Sequence, residues 1–215
     1  MPKTNSGRRS VSRRYAALAA AVVVACALLA VVAAAGLGLP FRLPHQWYLD
    51  IERAMDVAGL TSGMVIGEAG AGDGYFTLPM ARRVGPKGLV YANDISTHSL
   101  SELERNSTRA GLTNIRTVVG EVADPRFPRR DLQLVVVVHA FHDFDRPVEW
   151  LVSLKKYLGP GATVAIIDRD PEQGGDSHFW PRARIEGYAA EAGYELTRAE
   201  SFTGHLVLVF KPGAS

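Results

Sequence analysis

Three glycines, Gly70, Gly72 and Gly74, alternate in 65-VIGEAGAGDGYF-76, after a short apolar run and before a helix-like one. Glycine at such a turn adopts dihedrals closed to other residues and lets a ligand approach bare main chain. The helix that follows offers unpaired N–H groups in its first turn. Glu68 precedes the glycines, and a second acid, Asp94, closes the next apolar run, 89-LVYAND-94. A carboxylate accepts hydrogen bonds at both oxygens, so Asp94 suits the two hydroxyls of a ribose. Ile95 beside it can pack on an adenine ring. In the following loop, 119-VGEVADP-125, Glu121 can accept from an adenine amino group while the Val122 N–H donates to a ring nitrogen; the plain alternative for Glu121 is a solvated loop acid.

A second group of reactive side chains lies in 139-HAFHDFDRP-147. His142 titrates near neutrality and can serve as a base, with Asp143 orienting it or touching substrate. The alternative is that both only position the loop or cap the helix that starts near Arg146. His139 is closer to the strand and can line the pocket. The segment 168-DRDPEQGGDSHFWP-181 is long and aromatic, as in loops that close over a ligand. There His178, Phe179 and Trp180 can form a wall for a reacting molecule, or Phe179 and Trp180 can simply cover the sheet. Asp143, Asp168 and Asp170 are candidate metal ligands, but their spacing matches no established set, and no metal is expected.

The elements that position these residues follow from periodicity. Apolar runs at 64–67, 89–92, 115–119, 132–138 and 162–167 read as strands, with helices near 47–58, 75–84, 97–110, 146–157 and 181–192 between and around them. Strands 132–138 and 162–167 are apolar throughout, as strands covered on both faces are. The alternation predicts a parallel sheet with crossover helices. Residues 195–202 and 205–210, joined by Thr203-Gly204, predict a terminal hairpin that brings one antiparallel strand. Gly70–Gly74 then lie at the carboxyl end of the first strand, where open α/β sheets bind ligands.

Other classes fit less well. In a G-x-G-x-x-G fingerprint the third glycine falls on Tyr75 or Thr77, and no G-x-x-x-x-G-K-[ST] loop occurs. A nicotinamide oxidoreductase is therefore disfavoured, and so is a phosphate-loop enzyme. The net charge is only +2, and five of the basic residues are Lys3, Arg8, Arg9, Arg13 and Arg14. The rest of the chain is slightly acidic, so no broad footprint for nucleic acid is present. The one cysteine, Cys26, excludes an internal disulfide.

Residues 15–39 carry no charge. As a helix, twenty-five residues span about 37 Å, against roughly 30 Å of bilayer hydrocarbon. This predicts a single-pass N-terminal anchor, preceded by a basic tail (1–14) and followed by a linker (40–46). A cleaved export signal ending near Ala33-Ala34-Ala35 is the alternative. The basic tail places the N-terminus in the cytoplasm and the domain outside.

With 68-EAGAGDG-74, Asp94, 120-GEVADP-125 and the terminal hairpin in this order, the sequence resembles the class I S-adenosylmethionine-dependent methyltransferases over about residues 47–211. The resemblance is to the small-molecule type with a D-I-G-A-G-T-G-Y-F loop and an aromatic–histidine element after the fourth strand. It implies a Rossmann-like, seven-stranded, mostly parallel sheet with helices on both faces. It also implies S-adenosylmethionine as cofactor, held by Glu68, Gly70, Gly72, Gly74, Tyr75, Asp94, Ile95, Glu121 and Val122, with Glu68 accepting from the cofactor's amino group. His142 and Asp143 are then the catalytic candidates, and the acceptor a small or lipid-like molecule. The N-P-P-Y signature of amino-group methylation on adenine or glutamine is absent. S-adenosylmethionine is a cytoplasmic metabolite, whereas the charge rule puts the domain outside. That conflict keeps a second reading open, a silent binding module with the same fold.

Overall fold

The computed structural model of the chain describes residues 49–174 and 177–213. The predicted anchor, basic tail and linker lie outside these residues. Among the described residues no helix is long and apolar enough to cross a membrane.

The chain enters through helix α1 (Ile51–Ala58), capped by the Asp50 carboxylate, which accepts from the Arg53 N–H at 3.1 Å. This start is four residues later than the apolar spacing predicts. Strand β1 (Val65–Ala69) follows, then α2 (Thr77–Val84), β2 (Leu89–Asp94), α3 (Thr97–Arg109), β3 (Ile115–Val119) and β4 (Leu132–Val138). A 3-10 turn (Phe141–Asp143) leads to α4 (Pro147–Leu154) and β5 (Leu158–Arg169). The short helix α5 (Pro171–Gly174), α6 (Arg182–Glu191), β6 (Tyr194–Phe202) and β7 (His205–Pro212) complete the chain.

The seven strands form one sheet in the order β3-β2-β1-β4-β5-β7-β6. Strands β1 to β5 pair in parallel, and β7 runs antiparallel to both of its neighbours, β5 and β6. The hairpin thus contributes one reversed strand, β7, while β6 at the edge runs with the rest.

The alternation of side chains explains why β4 is apolar along its length. Leu134, Val136 and Val138 join the core beneath α1, α2 and α3, while Val135 and Val137 join the core beneath α4 and α6. Each such side chain contributes about 1.5–3 kcal/mol by leaving water, so both faces must carry helices. Leu132 falls on the same side as Val135 rather than that of Leu134, because the β4–β5 register shifts between Leu132 and Leu134.

This winding makes a switch point between β1 and β4. The chain leaves β1 toward β2 on one side and leaves β4 toward β5 on the other, which opens a crevice at the strands' carboxyl ends. Gly70 sits at that point with φ +72°, and a side-chain carbon there would run into the Ala140 methyl at the end of β4. Gly72 has φ +55° and nothing within 4 Å of such a carbon. Gly72→Ala therefore pays only for backbone strain, about 1 kcal/mol, whereas Gly70→Ala adds a clash and loses about 2–3 kcal/mol. Urea unfolding of the two variants checks this order; equal losses would mean that Ala140 moves aside.

Candidate functional site

The glycine loop is shaped by a carboxylate on the neighbouring strand. Asp94, the last residue of β2, accepts the Gly72 N–H at Oδ2 (2.9 Å) and the Ser96 N–H at Oδ1 (2.8 Å). Ser96 in turn caps α3, its hydroxyl accepting the Ser99 N–H. One side chain therefore fixes both the loop after β1 and the entry to the helix after β2. Each oxygen keeps a second lone pair. The sequence reading gave Asp94 to a ribose alone; its first task is to the chain itself.

A cleft opens beside it. Gly70, Asn93, Asp94, Ile95, Glu121 and Val122 form one side. Ile95 and Val122 are 65% and 45% exposed, a pair of apolar side chains offering faces to a flat ring. Glu121 is also exposed, with Arg126 3.1 Å from its carboxylate, and its backbone forms a small bridge with Asp124. Asn93 ties the cleft floor together: its amide nitrogen donates to the carbonyls of Val118 and Pro125. Asp143, Phe144, Asp145 and Trp150 form the other side, from the segment after β4.

Two expected cofactor residues stand elsewhere. Glu68 is 2% exposed and receives the Thr77 hydroxyl from the first residue of α2. It bolts β1 to the following helix and is not among the cleft-lining residues, so it does not present an acceptor to a cofactor amino group. Burial pushes its carboxyl up to about 8, the Thr77 hydroxyl opposing this and the Asp94 charge adding to it. Tyr75 is 55% exposed and lines a shallow depression with Leu78, Pro79, Arg82 and Asn106. The turn before α2 aims it away from the Asp94 cleft.

On the acceptor side the structure supplies a partner that the sequence reading did not give to His142. The His142 Nδ1 lies 2.7 Å from Oδ2 of Asp168, which is wholly buried at the end of β5. A carboxylate there selects the tautomer with hydrogen on Nδ1 and leaves the lone pair on Nε2, on the Asp143 side. Asp143, expected as the orienting residue, stands on the other side, 3.5 Å from Nε2. Neither residue caps α4, whose N-terminus has Arg146 as cap residue, Pro147 in its first turn and no side-chain cap. Parallel pairing of β4 with β5 brings these residues together: Val138 is level with Ile167, so the turn after β4 meets the carboxyl end of β5.

The buried Phe141 anchors that turn, with Phe144 at 5.4 Å and Trp180 at 5.7 Å between ring centres. Phe179 lies edge-on to the His142 ring at 4.5 Å, and His178 at 4.7 Å. The His178 and Phe179 rings cover His142, and Trp180 packs with Tyr188; none of the three is among the residues lining the cleft. His139 does not line the cleft. It takes φ +49° and stacks on His205 at 5.0 Å, where burial, with the His205 charge adding, holds its imidazole down at about 4. Asp170 is engaged by Gln173, Ser201 and the Glu172 N–H, so Asp143, Asp168 and Asp170 do not converge on one point.

Comparison with known proteins follows the same lines. Residues 66–161 match the family model described as Methyltransferase domain. An aklanonic acid methyltransferase of Streptomyces sp. (strain C5) is 32% identical over 130 residues, 60% of this chain and 57% of that protein. A demethylmenaquinone methyltransferase of Geobacillus stearothermophilus is 24% identical over 130 residues, 60% of this chain and 54% of that protein. The matched stretch is thus little more than half the length of either relative. The solved structure of a SAM-dependent methyltransferase from Aquifex aeolicus superimposes with a TM-score of 0.71 at 24% identity, over 80% of this chain and 92% of that one. The matched segment, residues 66–161, is thus similar to methyltransferase domains.

The buried Glu68 carboxyl gives stability a pH dependence. The folded chain keeps the proton up to about 8, whereas the freely solvated group releases it near 4.5. The unfolded state therefore binds fewer protons between these values, and this contribution to stability is full below the window and lost as pH rises through it. Glu68→Gln keeps the hydrogen-bonding shape of the neutral acid without the titration. Thermal melts from pH 5 to pH 8 should show a smaller fall for the variant than for the parent; parallel falls would assign the slope to other groups.

Proposed function

We propose that this chain transfers a methyl group from S-adenosylmethionine to a small-molecule or lipid-like acceptor. The observation that carries the reading is the Asp94 carboxylate, aimed at the switch-point cleft while holding the Gly72 and Ser96 N–H groups. The remaining lone pairs accept the ribose hydroxyls. Ile95 and Val122 sandwich the adenine, and Glu121 accepts from its amino group. Gly70 and Gly72 let the methionine portion lie against backbone.

The reaction is an in-line displacement. The acceptor's electron pair forms the new bond to the methyl carbon as the sulfonium C–S bond breaks, and that pair stays on sulfur. The cofactor carries the reactive group, so the protein's part is alignment and removal of the acceptor's proton. The Nε2 of His142 takes the proton, and the imidazolium so formed is stabilised by Asp168 at Nδ1. Phe144 and Trp150 offer an aromatic wall to the acceptor. The names of the two relatives, with aklanonic acid and demethylmenaquinone as what they methylate, support a small organic acceptor. Residues 15–39 hold the domain at a membrane in this reading.

Calorimetry on the full chain tests it. S-adenosylmethionine should bind with a stoichiometry of one, and NAD should not. Asp94→Asn should weaken binding by about tenfold or more, the scale of a lost hydrogen bond to a charged group. His142→Ala should leave it within about twofold, because the histidine is outside the cofactor side of the cleft. A folded chain that fails to bind the cofactor would sink the proposal and leave a binding module.

A further inference from the structure

Four of the six histidines, His139, His142, His178 and His205, gather where β4 and β5 end and β7 begins, and one pair of them converges with an acid. The Nε2 of His142 is 3.5 Å from one oxygen of Asp143, and the Nε2 of His178 is 3.6 Å from the other. The candidate donor atoms of all three residues lie within 4.8 Å of one another. These separations are too long for good hydrogen bonds. They are the separations of ligands around a common centre: two donors each about 2.1 Å from a tetrahedral cation stand about 3.4 Å apart.

We infer that His142, Asp143 and His178 form a site for a divalent first-row transition cation, bound through two imidazole Nε2 atoms and one carboxylate. Two nitrogens with a single carboxylate favour zinc, cobalt or iron over magnesium or calcium, which take all-oxygen sets. The second observation is Asp168. It is fully buried and sits 2.7 Å from His142 Nδ1, the carboxylate–histidine arrangement that orients a ligating imidazole and raises its basicity. Asp168 at the end of β5 and His142 in the turn after β4 are held together by the sheet, whereas Asp143 and His178 are 65% and 61% exposed.

Asp143 also lines the cleft, so a cation here faces the acceptor side with positions left for an oxygen of the acceptor or for water. With the cation bound, the His142 lone pair is committed to it. Coordination then lowers the acceptor's own pKa, and its proton leaves to solvent; proton removal by His142 belongs to the cation-free protein. This role rests on the methyl-transfer reading, whereas cation binding does not.

The test uses the full-length, untagged chain, stripped with a chelator and titrated with cobalt(II) as a visible probe. One equivalent should bind and give ligand-field absorption, zinc should displace it, and excess magnesium should not. His178→Ala and Asp143→Asn change exposed side chains, and each should lower cobalt affinity at least tenfold. Asp168→Asn, a positioning change, should lower it 10- to 100-fold with the absorption band retained. Cobalt affinity unaltered in His178→Ala would overturn the assignment, placing the ion elsewhere, for example at the stacked His139 and His205. No binding by the folded chain would overturn it too. S-adenosylmethionine binding measured on the same sample separates the readings: cofactor bound without cobalt rejects the cation site alone.

Discussion

The Asp94 carboxylate is the interaction on which the cofactor side depends. It reaches from β2 across to the loop after β1, beside the Asn93 carbonyl that accepts the Ala71 N–H, and it does so while holding the entry to α3. Two backbone N–H groups from separate segments converge on one charge, which is worth more than two neutral contacts. The loop and the cleft are therefore ordered by the same residue that meets the ligand. Occupying the cleft reinforces the loop, and loosening the loop degrades the cleft. Gly70 extends this coupling across the switch point, since its bare Cα lets the loop lie against Ala140 at the start of the acceptor segment.

The acceptor side is built by register instead. Pairing of Val138 with Ile167 brings the turn after β4 level with Asp168, and the antiparallel pairing of Asp168 with Leu206 closes the other flank. Phe141 pins the turn from below, and Phe179 covers it from above. His142 is consequently held at both ends of its ring. Its orientation is a property of the sheet rather than of the loop on which it sits.

Much of this was legible in the residues. Strands 115–119 and 132–138 lie where the apolar runs put them, the second because a strand covered on both faces has little room for polar residues. The reversed last strand followed from a two-residue turn between apolar segments. The cleft positions Gly70, Asp94, Ile95, Glu121 and Val122 were readable because they lie at or just past strand ends, and strand ends were well marked. What the residues did not reveal depends on direction and on long-range pairing. Glu68 and Tyr75 flank the glycines, but one faces the core and the other solvent, a matter of strand phase and turn geometry. Asp168 lies twenty-six residues from His142, and only the parallel register makes them partners. Asp143 looked like the orienting acid because it is next in sequence, yet adjacent residues on a tight turn point apart. His178 joined the group through a cross-loop contact that spacing does not encode. Strand β5 also begins earlier than predicted, at Leu158, because Gly159, Pro160 and Gly161 disguise its first half.

The switch point divides the labour between two sets of strands. The residues proposed for the cofactor hang from β1, β2 and β3, and those proposed for the acceptor from β4, β5 and the segment before α6. The halves are joined by the pairing of β1 with β4, and at the cleft Gly70 lies against Ala140. Substitutions that reshape the acceptor wall can accumulate without disturbing the grip on the donor. A lineage built on this plan can exchange one client molecule for another while inheriting its source of methyl groups intact.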